Sequence, residues 1–195
     1  MNKETIKKLI GGFGIIVEIG CADGSDTKEL MQIGKVYGFE PDPRNIKLLE
    51  NLDITLFKGV VSDIDGEIEF HVSKNERDNE ALSLSGSIMK PKKHLEIWDW
   101  ITFNEKITVP SVRLDTYLKD VPRIDFIWCD AQGAEEKIIL GGLETFKKTR
   151  YLYTEYSNDE QYEGQPTLSR ILELLPNFVL LADYCGDALL KNGNY

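Results

Sequence analysis

Short runs rich in β-branched and aromatic residues alternate with stretches of helical spacing along most of this 195-residue chain. That order is the signature of a parallel sheet covered by helices. Ile15-Ile16-Val17-Glu18-Ile19 reads as the first strand. It runs into Gly20-Cys21-Ala22-Asp23-Gly24, after which Ser25 or Asp26 is expected to cap a helix reaching Leu30-Met31. Val36 to Glu40 is the second strand, followed by Asp42 as a cap, Pro43 at the first helical position, and Ile46, Leu48 and Leu49 at helical spacing. Ile54 to Phe57 and Val60 to Asp63 come next, and an Asp65-Gly66 turn leads into the alternating run Ile68 to Val72. After Ile107-Thr108-Val109 and a short helix at Arg113 to Leu118, the most apolar strand, Ile124 to Cys129, ends at Asp130. A helix from about Ala134 to Leu140 stops at Gly141-Gly142, Tyr151 to Glu155 is a strand, and Leu168 to Leu175 is a helix closed by Pro176. Phe178 to Ala182 and Ala188 to Leu190 are expected to pair as a C-terminal antiparallel hairpin. The expected fold class is therefore α/β: a doubly wound, mostly parallel, Rossmann-like sheet with that hairpin at its end, built as one domain over residues 1–195.

Between Ser73 and Lys106 the pattern lapses into polar, irregular sequence that includes Ser83-Leu84-Ser85-Gly86-Ser87. A loop of that length in a compact domain is usually functional or mobile, and it is read as an acceptor-side lid. Trp98, Trp100 and Phe103 are expected to pin it to the core rather than to stack on a ligand. The run Lys90-Pro91-Lys92-Lys93-His94 reads as a solvated basic loop, and His71 as a surface or edge residue of an alternating strand.

A formal net charge of −10 works against steering toward a nucleic acid, which is a disfavoured partner. Cys21, Cys129 and Cys185 stand far apart with no zinc-like spacing, which fits a reducing compartment. The apolar run at Ile15 stops at Glu18, so no secretory segment or spanning helix is expected and the expected location is cytoplasmic. Oligomeric state leaves no mark in the sequence.

Ligands of open α/β sheets sit beyond the carboxyl ends of the strands, where the strand order reverses. The turn from Gly20 to Gly24 allows close approach to the backbone with a helix N-terminus behind it. Its Gly-x-x-x-Gly spacing differs from the dinucleotide Gly-x-Gly-x-x-Gly, and Glu18 and Asp23 would repel a pyrophosphate. They suit an amino-acid tail with a cationic sulfonium, as in S-adenosylmethionine (SAM). Glu40, ending the second strand, is placed for ribose hydroxyls; the same geometry serves NAD, so this residue alone does not decide the cofactor. Taken singly, Glu18 and Glu40 are also readable as solvated strand ends or helix-cap partners.

Several segments together carry a resemblance. Val17-Glu18-Ile19-Gly20-Cys21-Ala22-Asp23-Gly24, Phe39-Glu40-Pro41-Asp42, Val60-Val61-Ser62-Asp63 with Asp65-Gly66, Ser85-Gly86-Ser87-Ile88, and Ile124 through Asp130-Ala131-Gln132-Gly133-Ala134-Glu135 resemble the FkbM-type SAM-dependent methyltransferases. The first motif is shared by many methyltransferases, whereas Asp-x-x-Gly-Ala-Glu after an Ile-Asp-hydrophobic strand is more specific. The resemblance implies O-methylation of a hydroxyl on a sugar, glycan or small natural product. With it goes a cofactor-binding set of Glu18, Gly20, Cys21, Ala22, Asp23, Gly24, Glu40, Pro41, Val61, Ser62, Asp130 and Gln132. The family usually has Glu where this chain has Gln132, and often Lys where it has Trp128. An amide can orient a hydroxyl but cannot act as a general base.

Methyl transfer to oxygen is an in-line displacement that needs an aligned acceptor and often a base. Asp130 is the best-placed candidate, with a cofactor-amine ligand or a helix cap as its other readings. Glu155 is a second base or an acceptor-binding group, and Glu135 a third candidate or simply a first-turn helix carboxylate. The same three carboxylates could hold magnesium, which would acidify a hydroxyl, but sequence cannot show octahedral geometry and no metal ligand is assigned. Two other classes use the same pocket: a nucleotide-cofactor oxidoreductase, disfavoured by the glycine spacing, and a SAM-fold binding module without turnover, suggested by Gln132.

Overall fold

A computed structural model describes residues 1–77 and 84–195. Ser83, part of the polar segment singled out above, lies outside the described residues. The elements in chain order are α1 (Lys3–Ile10), β1 (Gly14–Ile19), α2 (Ser25–Leu30), β2 (Gly34–Glu40), α3 (Pro43–Leu49), β3 (Thr55–Lys58), β4 (Val60–Val61) and β5 (Gly66–Asn75). There follow α4 (His94–Ile97), β6 (Ile101–Val112), α5 (Leu114–Tyr117), β7 (Ile124–Cys129), α6 (Glu135–Leu140) and α7 (Leu143–Lys147). The last are β8 (Thr149–Glu155), α8 (Leu168–Leu174), β9 (Phe178–Asp183) and β10 (Asp187–Asn192).

A seven-stranded sheet has the order β3-β2-β1-β7-β8-β10-β9. Its first five strands are parallel, while β10 runs antiparallel to both β8 and β9, so the expected terminal hairpin forms. The order reverses between β1 and β7, the switch point where ligands of such sheets bind. Both faces of the central strands are buried, which is why β1 and β7 read as nearly unbroken apolar runs. Ile16 and Phe126 face Ile6, Ile10 and Leu30 of α1 and α2. Val17, Ile127 and Leu152 face the other way, in the cluster that holds Ile138 of α6 and Ile171 of α8. Asp125, in the strand of the most specific motif, is 2% exposed; it accepts from Ile15 N at 2.9 Å and pairs with Arg150 at 3.1 Å. It ties β7 to its two neighbours at the end of the sheet remote from the switch point.

Helix starts follow local chemistry in part. Asp42 Oδ1 accepts from Arg44 N at 2.8 Å and Pro43 is the first residue of α3, as its sequence requires. The start of α2 differs from expectation: Gly24, left-handed at φ 78°, takes the cap position, and Asp23 Oδ1 accepts from Ser25 N at 2.9 Å. The short α4 and α7 have no counterpart in the sequence reading.

The span expected to be irregular is much shorter than Ser73 to Lys106. β5 continues to Asn75 and β6 begins at Ile101, and the two pair antiparallel in a second sheet of order β4-β6-β5. Thr102 to Lys106 are mostly exposed, so their strand shows no apolar alternation; only backbone pairing with a distant segment reveals it. His71 is 8% exposed rather than superficial, because Ser87 forms an antiparallel bridge over it, with His71 N donating to Ser87 O at 2.8 Å. The basic run is also more tied down than a solvated loop: Lys92 pairs with Glu160, Lys93 with Asp159 at 2.6 Å, and Lys92 N donates to Gln161 O at 2.7 Å. His94 is buried among the rings of Trp98, Phe103 and Tyr162, which pins the insertion as expected. Trp100 instead stacks under the Arg77 guanidinium at 3.7 Å. Among the described residues no helix is long and apolar enough to cross a membrane.

Candidate active site

A cavity of about 260 Å³ opens at the β1/β7 switch point. The turn after β1 supplies Gly20, Cys21, Ala22 and Asp23, the end of β2 supplies Glu40 and Pro41, and the loop after β7 supplies Asp130, Ala131 and Gln132. Val61 of β4 and the insertion residues Leu84, Gly86, Ser87 and Ile88 complete much of the wall.

Two backbone strains flank the switch point. Ala22 and Gln132 both sit in the left-handed region, at φ 49° and 52°, where a side chain costs energy that surrounding contacts must offset. Ala22 is held by Glu40, whose Oε2 accepts from Ala22 N at 2.8 Å. Glu40 Oε1 accepts from Asp42 N at 2.8 Å and from Asn45 Nδ2 at 3.3 Å, so one carboxylate fastens the β1 turn to the end of β2. Gln132 is held from three directions. Its Nε2 donates to Asp130 Oδ1 at 2.7 Å and to Glu155 Oε2 at 3.2 Å, its Oε1 lies 3.0 Å from the Tyr162 hydroxyl, and its carbonyl accepts from Ser87 Oγ at 2.7 Å.

The structure thus brings Asp130, Gln132 and Glu155 together, with Asp130 and Gln132 on the cavity wall. It does not bring Glu135 there. That side chain is 0% exposed and folds back so that its Oε1 accepts from Ala131 N at 3.0 Å, because a carboxylate in the first turn of α6 satisfies free N–H groups of the loop before it. Ser62 is likewise sealed, 2.7 Å from Ser111 Oγ at the β4/β6 junction, and Gly24 serves as the α2 cap rather than as wall. Glu18 is 1% exposed just before the lining turn, and its Oε2 has no hydrogen-bond partner. The sequence reading missed Asn45, Ser87 and Tyr162 as site residues. Ser87 was visible as part of a motif; Tyr162 lies in a segment without periodicity, and only its packing identifies it.

Burial is the leading cause that pushes four of these carboxyls upward, Glu18 to about 8, Glu40 and Glu135 to about 7, and Glu155 to about 10. Asp130 is also raised by loss of solvation, and its charge is the second cause of the rise at Glu155. The Asp130–Glu155 pair therefore retains a proton at neutral pH. Among the described residues no group of three or more His, Cys, Asp or Glu is disposed to hold a metal ion, so the magnesium alternative gains no support.

These shifts fix a sign for stability. A carboxyl whose folded pKa exceeds its unfolded value holds more protons when folded, so stability falls as pH rises from the ordinary value of 4.5 through 7 to 10. The ligand-free protein is expected to melt about 5–10 °C lower at about pH 8.5 than at about pH 6, the consequence of a few kcal/mol in a domain of this size. Calorimetric scans in matched ionic strength check this; a melting temperature that rises over that interval removes the buried-acid assignment.

A mostly parallel sheet with its cavity at the switch point, a glycine turn after β1 and a carboxylate ending β2 defines a Rossmann-like fold with a site for an adenosine-bearing cofactor. This chain belongs to the FkbM methyltransferase family: the model described as the methyltransferase FkbM domain matches residues 18–187. The 2-O-methyltransferase NoeI of Sinorhizobium fredii (strain NBRC 101917 / NGR234) is 44% identical over 206 residues, a match that covers 98% of this chain and 85% of that protein. Among solved structures, a putative rRNA methylase from Clostridium thermocellum superposes with a TM-score of 0.51 at 14% identity, covering 98% of this chain and 96% of that one. A putative type 11 methyltransferase from Sulfolobus solfataricus gives 0.51 at 12% identity over 97% of this chain and 90% of that one. These last two likenesses concern the fold alone. The chain is a SAM-dependent methyltransferase, which removes the oxidoreductase and non-catalytic readings.

Proposed function

We propose that this protein methylates a hydroxyl of a sugar, glycan or small hydroxylated natural product, with the insertion between β5 and β6 forming the acceptor-side wall. The observation that carries the reading is the juxtaposition, across one cavity at the switch point, of Glu40 at the end of β2 with Asp130, which Gln132 holds. Similarity to a 2-O-methyltransferase supports a hydroxyl as acceptor.

The residues fit SAM. Glu18 has one buried oxygen unpartnered beside the lining turn, and a cationic group of the methionine part placed there would draw off the proton that burial holds on it. Glu40 already accepts three hydrogen bonds, which leaves about one of its roughly four acceptor positions for a ribose hydroxyl. A second hydroxyl can displace the 3.3 Å contact from Asn45. When bound, SAM supplies a methyl carbon activated by its sulfonium. Asp130 takes the proton of the attacking hydroxyl as the O–CH₃ bond forms and the S–CH₃ bond breaks. With the pair's shared proton on Glu155, Asp130 is left to accept the hydroxyl proton, and Gln132, donating to both carboxyls, fixes them without moving a proton.

The test begins with calorimetric titration by SAM and by NAD, followed by labelled methyl transfer to a panel of sugars and hydroxylated metabolites. SAM is expected to bind and NAD not to. Glu40→Gln is expected to weaken SAM binding by about 10–150-fold, the equivalent of about 1.5–3 kcal/mol for a hydrogen bond to a charged group. Unchanged affinity would mean that the ribose does not lie there.

A further inference from the structure

Gln132 stands between the Asp130–Glu155 pair and a tyrosine that belongs to no strand or helix. Tyr162, in the loop from β8 to α8, is 1% exposed, and its side chain lies against Gly133, where an added Cβ would stand 2.7 Å from the Tyr162 Cβ. The loop is joined to the insertion, because Tyr162 forms an antiparallel bridge with Pro91 and Glu163 N donates to Lys90 O at 2.8 Å. His94 and Phe103 pack on the ring with centroids 5.2 and 6.4 Å away. The phenol is thus fixed in place. Burial pushes its pKa upward, so it stays neutral and has one hydrogen to donate. Two acceptors lie within reach of that hydrogen, Ser85 O at 2.8 Å and Gln132 Oε1 at 3.0 Å.

A primary amide has a donor end and an acceptor end, so its orientation decides what it does to its neighbours. Here the Gln132 Nε2 hydrogens go to carboxyl oxygens, on Asp130 at 2.7 Å and on Glu155 at 3.2 Å. Turned over, the amide would set its oxygen against those same two oxygens. The pair has one proton between its two members at neutral pH, so at least one of those contacts would lack a hydrogen. The phenol hydrogen at the other end of the amide stabilises the first orientation. The charged groups facing Asp130 are Glu155 of β8, Asp187 of β10 and Asp26 of α2, and Glu135 of α6 faces Glu155. All are acids, and their charges oppose ionisation of the pair. The Gln132 amide favours it, lowering Asp130 by hydrogen bonding. We propose that Tyr162 is a positioning residue that holds the Gln132 amide with its hydrogens on the carboxyl pair and thereby keeps Asp130 able to ionise. Only its effect on turnover rests on the reading of Asp130 as the base.

The test needs no acceptor. Ligand-free protein labelled with carbon-13 at its Asp and Glu side-chain carboxyls is titrated by NMR, with Asp130→Asn and Glu155→Gln identifying the two resonances. Tyr162→Phe keeps the ring and removes only the hydroxyl. It is expected to move the titration of the pair upward by about 0.5–1 pH unit, the size of one neutral hydrogen bond. In a Gln132→Met background, which has no amide to orient, the same substitution should move it by no more than about 0.3 unit. Should Gln132→Met fold poorly, nitrogen-15 spectra of the Gln132 side-chain amide give the second reading, one conformer in the parent and two in Tyr162→Phe. A ring that merely packs would leave the titration and the amide signal as they were. An unchanged titration in Tyr162→Phe, an equal shift with and without the amide, or a single unchanged amide conformer would each overturn the proposal. With a methyl acceptor in hand, the acid limb of kcat should follow the titration upward while KM for SAM stays near the parental value. If the titration moves and the limb does not, Tyr162 still sets the pair and the reading of Asp130 as the base falls.

Discussion

Asp130→Asn is expected to lower turnover about 10²–10⁴-fold on any acceptor the wild-type protein methylates, the usual range for removing a general base. SAM affinity should stay close to the parental value, because the amide keeps the size of the side chain and its contact with Gln132. Glu155→Gln is expected to cost less than about tenfold, since it replaces a protonated carboxyl by another neutral donor beside Asp130. The pH profile carries the same assignment. Because burial raises Asp130, turnover should fall with decreasing pH at a higher pH than an ordinary carboxylate would give, and Asp130→Asn should lose that limb. Labelled methyl transfer and calorimetry on the two variants decide the matter. A reversed order of losses would make Glu155 the base, and parental rates in both would leave catalysis to proximity and alignment.

Gly20→Ala should be the most damaging single methyl group in the molecule's binding turn. Its Cβ would stand 2.0 Å from the Asp130 carbonyl oxygen, and the backbone is left-handed at φ +87°. Overpacking against backbone costs about 1–3 kcal/mol and the conformation about 1–2 more, so a fall of about 4–20 °C in melting temperature is expected. Gly11→Ala is the control: its φ of +80° is nearly the same, but nothing lies within 4 Å of the added Cβ. It should show the conformational cost alone, about 1–2 kcal/mol. Equal losses in the two variants, measured by thermal unfolding, would show that the turn relaxes away from β7. The close approach is also what sets Asp130 beside the β1 turn, since Asp130 N donates to Ile19 O at 3.0 Å. A surviving Gly20→Ala protein should therefore also lose SAM affinity.

Much of this site was legible before any coordinates. Glu40 ends a strand just before an Asp-Pro helix start, and Asp130 ends the most apolar run, so local pattern alone put both at a switch point. Glu135 misled because a carboxylate three residues into a loop-helix junction looks the same in sequence whether it faces a ligand or the loop's own N–H groups. The insertion misled for another reason: Asn104 to Lys106 are all exposed on the strand, so β6 has no alternation to read there.

The sequence by itself determined the alternation of strands and helices, the glycine turn after β1 and the acidic strand ends, because each depends on residues within a few positions of one another. Tertiary structure alone decided which of those acids share a proton and what holds them. Gln132 meets Tyr162 across 30 residues and Ser87 across 45, and Glu155 reaches Gln132 across 23. Contacts at such separations form when packing brings two loops together, and they leave no periodic trace in the chain.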